Sequence, residues 1–301
     1  MNWEDSIQDY KMYLKIEKGK SDNTVESYLR DIIKLQVFCE ENNEKNPIKI
    51  DANLIQQFVY EIAKTDYKTR SQARLISAIK SFFKFLLLDE RREDNPAELI
   101  ELPKIGLYLP DTLSEDEIGK LISSIDLSSP QGERNRAILE TLYGCGLRVS
   151  ELINLKISDL FFEDNFLKVT GKGNKQRLVP ISDYAITFIN IYKNEVRNHL
   201  KIEEKYKDFL FLNRNGRKLS RVMIFIFIKE LAKTAGITQN ISPHTFRHSF
   251  ASHLLHNGAD LRSIQMMLGH ESIITTEIYT HINQKHLQTT ILDFHPRNRK
   301  K

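Results

Sequence analysis

The chain has 301 residues, with 44 Lys and Arg against 40 Asp and Glu and a formal net charge of +4. That length exceeds one ordinary domain and predicts two. So small a charge excess rules out a uniformly basic chain, yet local basic faces such as the closing PRNRKK leave room for a nucleic-acid partner. The longest apolar run, Val222 to Ile228, falls short of the ~18 residues a membrane span needs, and no basic-then-apolar leader opens the chain. Cys39 and Cys145 lack metal-ligand spacing and are too few for a disulfide framework. A soluble, cytoplasmic protein with two buried free thiols is expected.

Residues 1–95 read as four amphipathic helices. Ile7, Tyr10 and Leu14 share a face; Val25, Tyr28, Leu29, Ile32 and Leu35 form a second stripe; Leu54, Ile55, Phe58, Val59 and Ile62 a third; and Leu75, Ile76, Ile79, Phe82, Phe83 and Leu86 a fourth. Four such stripes cover one another as a small bundle. On the fourth helix, a turn of 100° per residue sets Arg70, Arg74, Ser77, Ser81 and Lys84 opposite the apolar stripe. A row of cations and hydroxyls suits a phosphate backbone; an ordinary solvated face stands beside that reading. Pro96, Pro103 and Pro110, with little periodicity between them, predict an extended linker over 96–107. Ser114 with Glu117 fits a capping box that opens a helix just beyond it.

From 108 onward the pattern is mostly helical. Two strand-like runs, Phe166 to Thr170 and Arg177 to Ile181, flank a Gly-Lys-Gly-Asn turn, and a shorter hairpin is expected around Asn215 and Gly216. Ser242 can cap a helix that begins at Pro243, which puts His244, Arg247 and His248 in its first turns, where free amides and the helix dipole favour an anion. Phe246, Phe250 and Leu254 lie on a different face and anchor it in a core. Gly258 ends that helix, Asp260 caps another through Met267, and Gly269 ends the second beside His270.

His244 and His248 have the spacing of a zinc-binding helix. However, Thr245 stands where a zinc peptidase carries its glutamate, and Arg247 would put a cation beside the metal. No metal is therefore expected, and His248, His253 and His256 read as core or surface residues. An arginine sharing a helix face with a histidine suits a phosphate instead. Arg148, after Gly144 and Gly146, and Lys172, in its turn, would each be ambiguous alone. Taken with His244, Arg247 and His270 they form a cationic set, and Tyr279 is the obvious nucleophile near it.

These segments, GCGLRVSEL with Arg148, GKGNKQRLVP with Lys172, SPHTFRHSFASHLL with His244 and Arg247, LGH with His270 and EIYTHI with Tyr279, resemble the tyrosine recombinases, or phage integrase family. The likeness covers essentially the whole chain. Its length, NGADLRSIQMMLGH and the short tail ending HPRNRKK are similar to the Xer subgroup; Glu277 stands where relatives often carry Gln. The resemblance implies a mainly α fold: a four-helix DNA-clamping domain over 1–95, a linker over 96–107, and a mixed, mostly helical catalytic domain over 108–301 with a small antiparallel sheet and a C-terminal docking tail.

It also implies a site-specific DNA recombinase. Tyr279 would attack a phosphodiester to form a 3′-phosphotyrosyl link that stores the energy for rejoining. Arg148 and Arg247 would hold the nonbridging oxygens and His270 would add a hydrogen bond. A phenol of pKa ~10 needs a proton acceptor, for which His244 is the candidate, and Lys172 would protonate the leaving 5′-oxygen. Glu151, one turn after Arg148, would orient the cluster. Arg70, Arg74 and Lys84 would touch DNA. No cofactor, metal or ATP is implied. The implied partners are a double-stranded recombination site, a XerC-like sibling in a heterotetramer, and a septal DNA translocase as activator, in the resolution of chromosome dimers at cell division. An integrase of a mobile element, a type IB topoisomerase and a non-catalytic DNA-binding relative are the alternatives. Leu287, Ile291, Leu292 and Phe294 give the tail an apolar stripe that either folds back on its own domain or is donated to a neighbouring protomer.

Overall fold

The computed structural model describes residues 2–104, 106, 112–269 and 281–298, apart from the side chains of Lys172 and of 281–285. The chain divides into two compact units, Met1–Tyr108 and Leu109–Lys301.

The first unit is helical throughout. Helix α1 (Trp3–Met12) runs into a π-turn at Tyr13–Glu17 and is followed by α2 (Asp22–Glu41), α3 (Ala52–Lys64) and α4 (Thr69–Leu88). Short polar side chains start two of them: Asn2 accepts from the Asp5 amide at 2.8 Å and Asp51 from the Leu54 amide at 2.8 Å, satisfying amides that a helix start leaves bare. The predicted stripes meet as one core. Tyr10, Leu14, Val25, Ile32, Leu35, Ile55, Phe58 and the whole stripe of α4 are buried, with Trp3 stacked on Phe82 at 5.8 Å. Each large apolar side chain so buried contributes about 1.5–3 kcal/mol, and this burial holds α1 and α3, which are too short to persist alone. Part of the stretch expected as linker joins this core, because Ala97 and Ile100 are buried in it.

The second unit begins with α5 (Glu115–Ser123), opened by the predicted capping box: Glu117 Oε2 accepts from the Ser114 amide at 2.8 Å, and the Glu117 amide donates to Ser114 Oγ at 3.2 Å. Helix α6 (Gly132–Cys145) is buried along its C-terminal two turns and forms the spine of the core; α7 is Val149–Asn154. A three-stranded antiparallel sheet follows in the order β1 (Leu160–Phe161), β2 (Phe166–Thr170), β3 (Gln176–Pro180), with Val169 opposite Arg177. Strand β1 has no counterpart in the sequence reading. The hairpin expected at Asn215 and Gly216 is reduced to one bridge, Leu212 to Lys218. There the Asn213 side chain takes the amides of Asn215 and Arg217 at 2.9 and 3.0 Å, which leaves little backbone for a ladder.

Helices α8 (Asp183–Ile191), α9 (Arg221–Thr234), α10 (Pro243–His256), α11 (Leu261–Leu268) and α12 (His281–Phe294) complete the unit. The tail packs on its own unit. Leu287 and Ile291 are buried, and His295 lies between the rings of Tyr143 and Phe250 with Nε2 3.3 Å from the Tyr143 carbonyl. Arg297 reaches the buried Glu140 carboxylate at 3.1 Å. Cys39 and Cys145 are both free and buried. No described helix is long and apolar enough to cross a membrane.

Candidate active site

A single carboxylate organises the cationic residues. Arg148 precedes α7 as its N-cap, so Glu151 comes back one turn later to its own start: Glu151 Oε2 accepts from the Arg148 amide at 2.8 Å and Oε1 from Arg148 Nη1 at 2.9 Å. Arg177, from β3, meets the same carboxylate with both terminal nitrogens, at 2.8 and 3.0 Å. Arg247, from the first turns of α10, lies with Nη1 3.8 Å from Glu151 Oε2. Its two firm hydrogen bonds go to backbone carbonyls, Gly146 at 2.8 Å and Leu268 at 2.5 Å. Gly146 makes this approach possible. It ends α6 at φ +58°, and a Cβ there would lie 2.5 Å from Phe250 Cδ1.

Burial would by itself raise the Glu151 carboxyl, but the hydrogen bonds and charge of Arg177, with the contacts of Arg148, outweigh it and hold the group below the usual carboxylate range. Burial, then the charge of Arg148, pushes the Arg247 guanidinium down to about 9, still cationic at neutral pH. Arg148 remains about a third exposed, and Arg247 is 7% exposed. The pair therefore presents one open and one sheltered guanidinium, an arrangement able to hold two oxygens of a phosphate. His244 sits on the same helix as Arg247 and opens to solvent. Desolvation of its inner side lowers its pKa, and His248, Arg247 and Arg148 add to the effect, which keeps the ring neutral and ready to accept a proton.

Lys172 lies in the 3-10 turn Lys172–Asn174 between β2 and β3, closed by the Gly171 amide on the Lys175 carbonyl at 2.8 Å; its side chain is outside the described residues, as are His270 and Tyr279 entirely. The structure thus brings Arg148, Glu151, His244 and Arg247 into one region and sets the Lys172 turn beside it, through the packing of Gly171 on Glu151 and Arg177. In the other unit, Arg70, Arg74 and Lys84 are exposed on one face of α4, with Ser77 and Ser81 half-buried along it. Arg74 is already engaged, since its Nε and Nη2 meet the buried carboxylate of Asp31 at 2.9 and 3.1 Å. His253 is a structural histidine whose Nδ1 lies 2.9 Å from the Tyr143 hydroxyl; His248 and His256 are exposed. Sequence reasoning missed Arg177. Its signal was the strand's own period, which places 177, 179 and 181 on the inward face and so puts a guanidinium where a core side chain is expected.

The model of the phage integrase family matches residues 111–286, and that of the phage integrase N-terminal SAM-like domain matches residues 7–90. The chain is 42% identical over 291 residues to the tyrosine recombinase XerD of Staphylococcus haemolyticus, covering 97% of this chain and 98% of that protein. The chain belongs to the phage integrase family.

As a tyrosine recombinase it is a site-specific DNA recombinase. The crystal structure of XerA recombinase, 32% identical, covers 99% of both chains with a TM-score of 0.50. XerH site-specific recombinase in its post-cleavage complex with a palindromic difH substrate shares the recombinase fold at 24% identity, with a TM-score of 0.69 over 89% of this chain and 79% of that one. Within this recombinase family likeness, the mainly helical architecture with one small antiparallel sheet is the expected one.

Proposed function

We propose that this recombinase cuts and rejoins duplex DNA by transfer of a phosphoryl group to Tyr279, and that it acts in the manner of XerD to resolve chromosome dimers at cell division. The observation that carries the chemistry is the meeting of Arg148 and Arg247 on Glu151, at 2.9 and 3.8 Å, with His244 on the same helix as Arg247. In this reading the Tyr279 oxygen bonds to the scissile phosphorus and its proton passes to His244. The bond from phosphorus to the 5′-oxygen breaks, and that oxygen takes a proton from Lys172. Charge gathering on the nonbridging oxygens is met by Arg148 and Arg247, with a hydrogen bond from His270. The phosphotyrosyl bond conserves the energy for rejoining, so no cofactor is spent.

The residues over 1–95 act as a clamp whose α4 tracks the backbone through Arg70, Arg74 and Lys84, and 108–301 carries the chemistry. The partner is a double-stranded recombination site, a reading in keeping with the palindromic difH substrate bound by XerH. By the same likeness to XerD, a XerC-like sibling completes a heterotetramer, a septal DNA translocase activates this subunit, and the enzyme works in the cytoplasm. The test is covalent capture on the host chromosome in the presence of excess EDTA, followed by reconstitution with the sibling. Attachment of Tyr279 at one short chromosomal site, undiminished by chelator, and recombination only when both proteins are present would support the proposal. Attachment scattered without sequence preference, or recombination by this chain alone, would overturn it.

A further inference from the structure

Arg177 joins three elements that the proposed chemistry uses. It stands on the inward face of β3 and is 8% exposed. Its Nε donates to the Met267 carbonyl near the end of α11 at 2.9 Å, and Nη1 and Nη2 hold Glu151 at 2.8 and 3.0 Å. Two glycines rest against this pair. A Cβ on Gly171, the residue before Lys172, would lie 3.4 Å from Glu151 Oε1 and 3.5 Å from Arg177 Nη1. One on Gly269 would lie 3.0 Å from Arg177 Cδ and 3.1 Å from its Nε, at a φ of +65°. An arginine that served only to neutralise Glu151 would need no contact with α11 and no turn packed on it. Here one rigid guanidinium fixes the distance between the Lys172 turn, the carboxylate that holds Arg148, and the end of α11 whose Leu268 carbonyl accepts from Arg247 at 2.5 Å.

We infer that Arg177 is a positioning residue for strand cleavage, setting the Lys172 turn in register with the Arg148 and Arg247 pair. This rests on the reading of Lys172 as the proton donor to the leaving oxygen. A turn displaced by about 1 Å costs on the order of 10²-fold in rate, and the loss falls on the step that needs the proton.

The experiment uses the full chain on a nicked duplex that carries the chromosomal site of covalent capture, made with either oxygen or sulfur at the 5′-bridging position. A thiolate leaves without protonation. Arg177→Met and Arg177→Lys are compared with Lys172→Ala and the unaltered protein, with thermal transition and duplex binding measured in parallel. The expected result is that Arg177→Met binds within a few-fold of the unaltered protein, cleaves the oxygen substrate about 10²-fold more slowly, and recovers most of that loss on sulfur, as Lys172→Ala does; Arg177→Lys is expected to fall between the two. Equal impairment on oxygen and sulfur, or normal cleavage of both, overturns the inference while recovery in Lys172→Ala leaves the donor reading intact. Should Lys172→Ala itself fail to recover on sulfur, the donor reading falls. If neither Arg177 variant shows a cooperative transition, Arg177 is a scaffold residue and the inference is wrong.

Discussion

Glu151→Gln is the sharpest perturbation of the cationic cluster, because it keeps the shape of the side chain while removing the charge and turning one acceptor oxygen into a donor. Oε1 accepts from Arg148 Nη1 and Arg177 Nη1, at 2.9 and 2.8 Å, and Oε2 accepts from the Arg148 amide and Arg177 Nη2, at 2.8 and 3.0 Å. Whichever position the amide nitrogen takes, a donor faces two donors, so no flip of the amide relieves it. Two charge-assisted bonds are lost, at about 1.5–3 kcal/mol each, and the Arg177 cation is left buried without its partner, for which about 3–5 kcal/mol is the expected total. In a unit of this size that lowers the melting temperature by roughly 10 °C.

The pH dependence follows from the lowered pKa of Glu151. Its contribution is fully present above the unfolded carboxyl's value of 4.5 and is lost as pH falls through the lower folded value, so the gap between the two proteins closes in acid. Thermal melts of the two proteins at a series of pH values from neutral to acid provide the assay. A Glu151→Gln protein melting within a degree or two of the original at pH 7, or a gap that persists unchanged into strong acid, would refute the reasoning.

Because burial, His248, Arg247 and Arg148 push His244 below its ordinary 6.5, single-turnover cleavage should hold level as pH falls through 6.5 and decline only further into acid; a decline centred at 6.5 or above would remove His244 as the proton acceptor. On α4, Arg70→Ala and Lys84→Ala should weaken duplex binding and flatten its salt dependence, and Lys84→Ala should leave the melting temperature alone. Arg74→Ala should weaken binding and also lower the melting temperature, since it strands the buried carboxylate of Asp31 at a cost of about 1–3 kcal/mol; a stability equal to that of Lys84→Ala would contradict the ion pair. Gly146→Ala meets both a φ of +58° and Phe250 Cδ1 at 2.5 Å, so it should cost about 1–3 kcal/mol and slow cleavage through Arg247, which donates to the Gly146 carbonyl; calorimetry and single-turnover cleavage check the two effects.

The helical bundle was legible because its stripes repeat with the helix, and nothing in the stripe of α4 departs from the buried set that the spacing named. The capping box at Ser114 was legible for the same reason, as a purely local signal. What escaped was either too short or too distant. Strand β1 has two residues, which is no period at all. At Asn215 and Gly216 the turn residues suggested a hairpin, yet Leu210, Phe211 and Leu212 are all buried, so the flank lacks the alternation of a paired strand. His295 and Arg297 dock on Tyr143 and Glu140 across about half the chain, a closeness that no local pattern announces. Glu151 was found from its position one turn after Arg148. Arg177 was read only as part of a strand, and its role emerges once β3 is packed against α7 and α11.

The central claim is that the hydroxyl of Tyr279 attacks DNA, and Tyr279→Phe tests it with the removal of one oxygen. On a nicked duplex carrying the captured chromosomal site, the Phe variant should bind as the original does and form no covalent protein-DNA adduct, while the original accumulates one. A covalent adduct formed by the Phe variant would contradict the account.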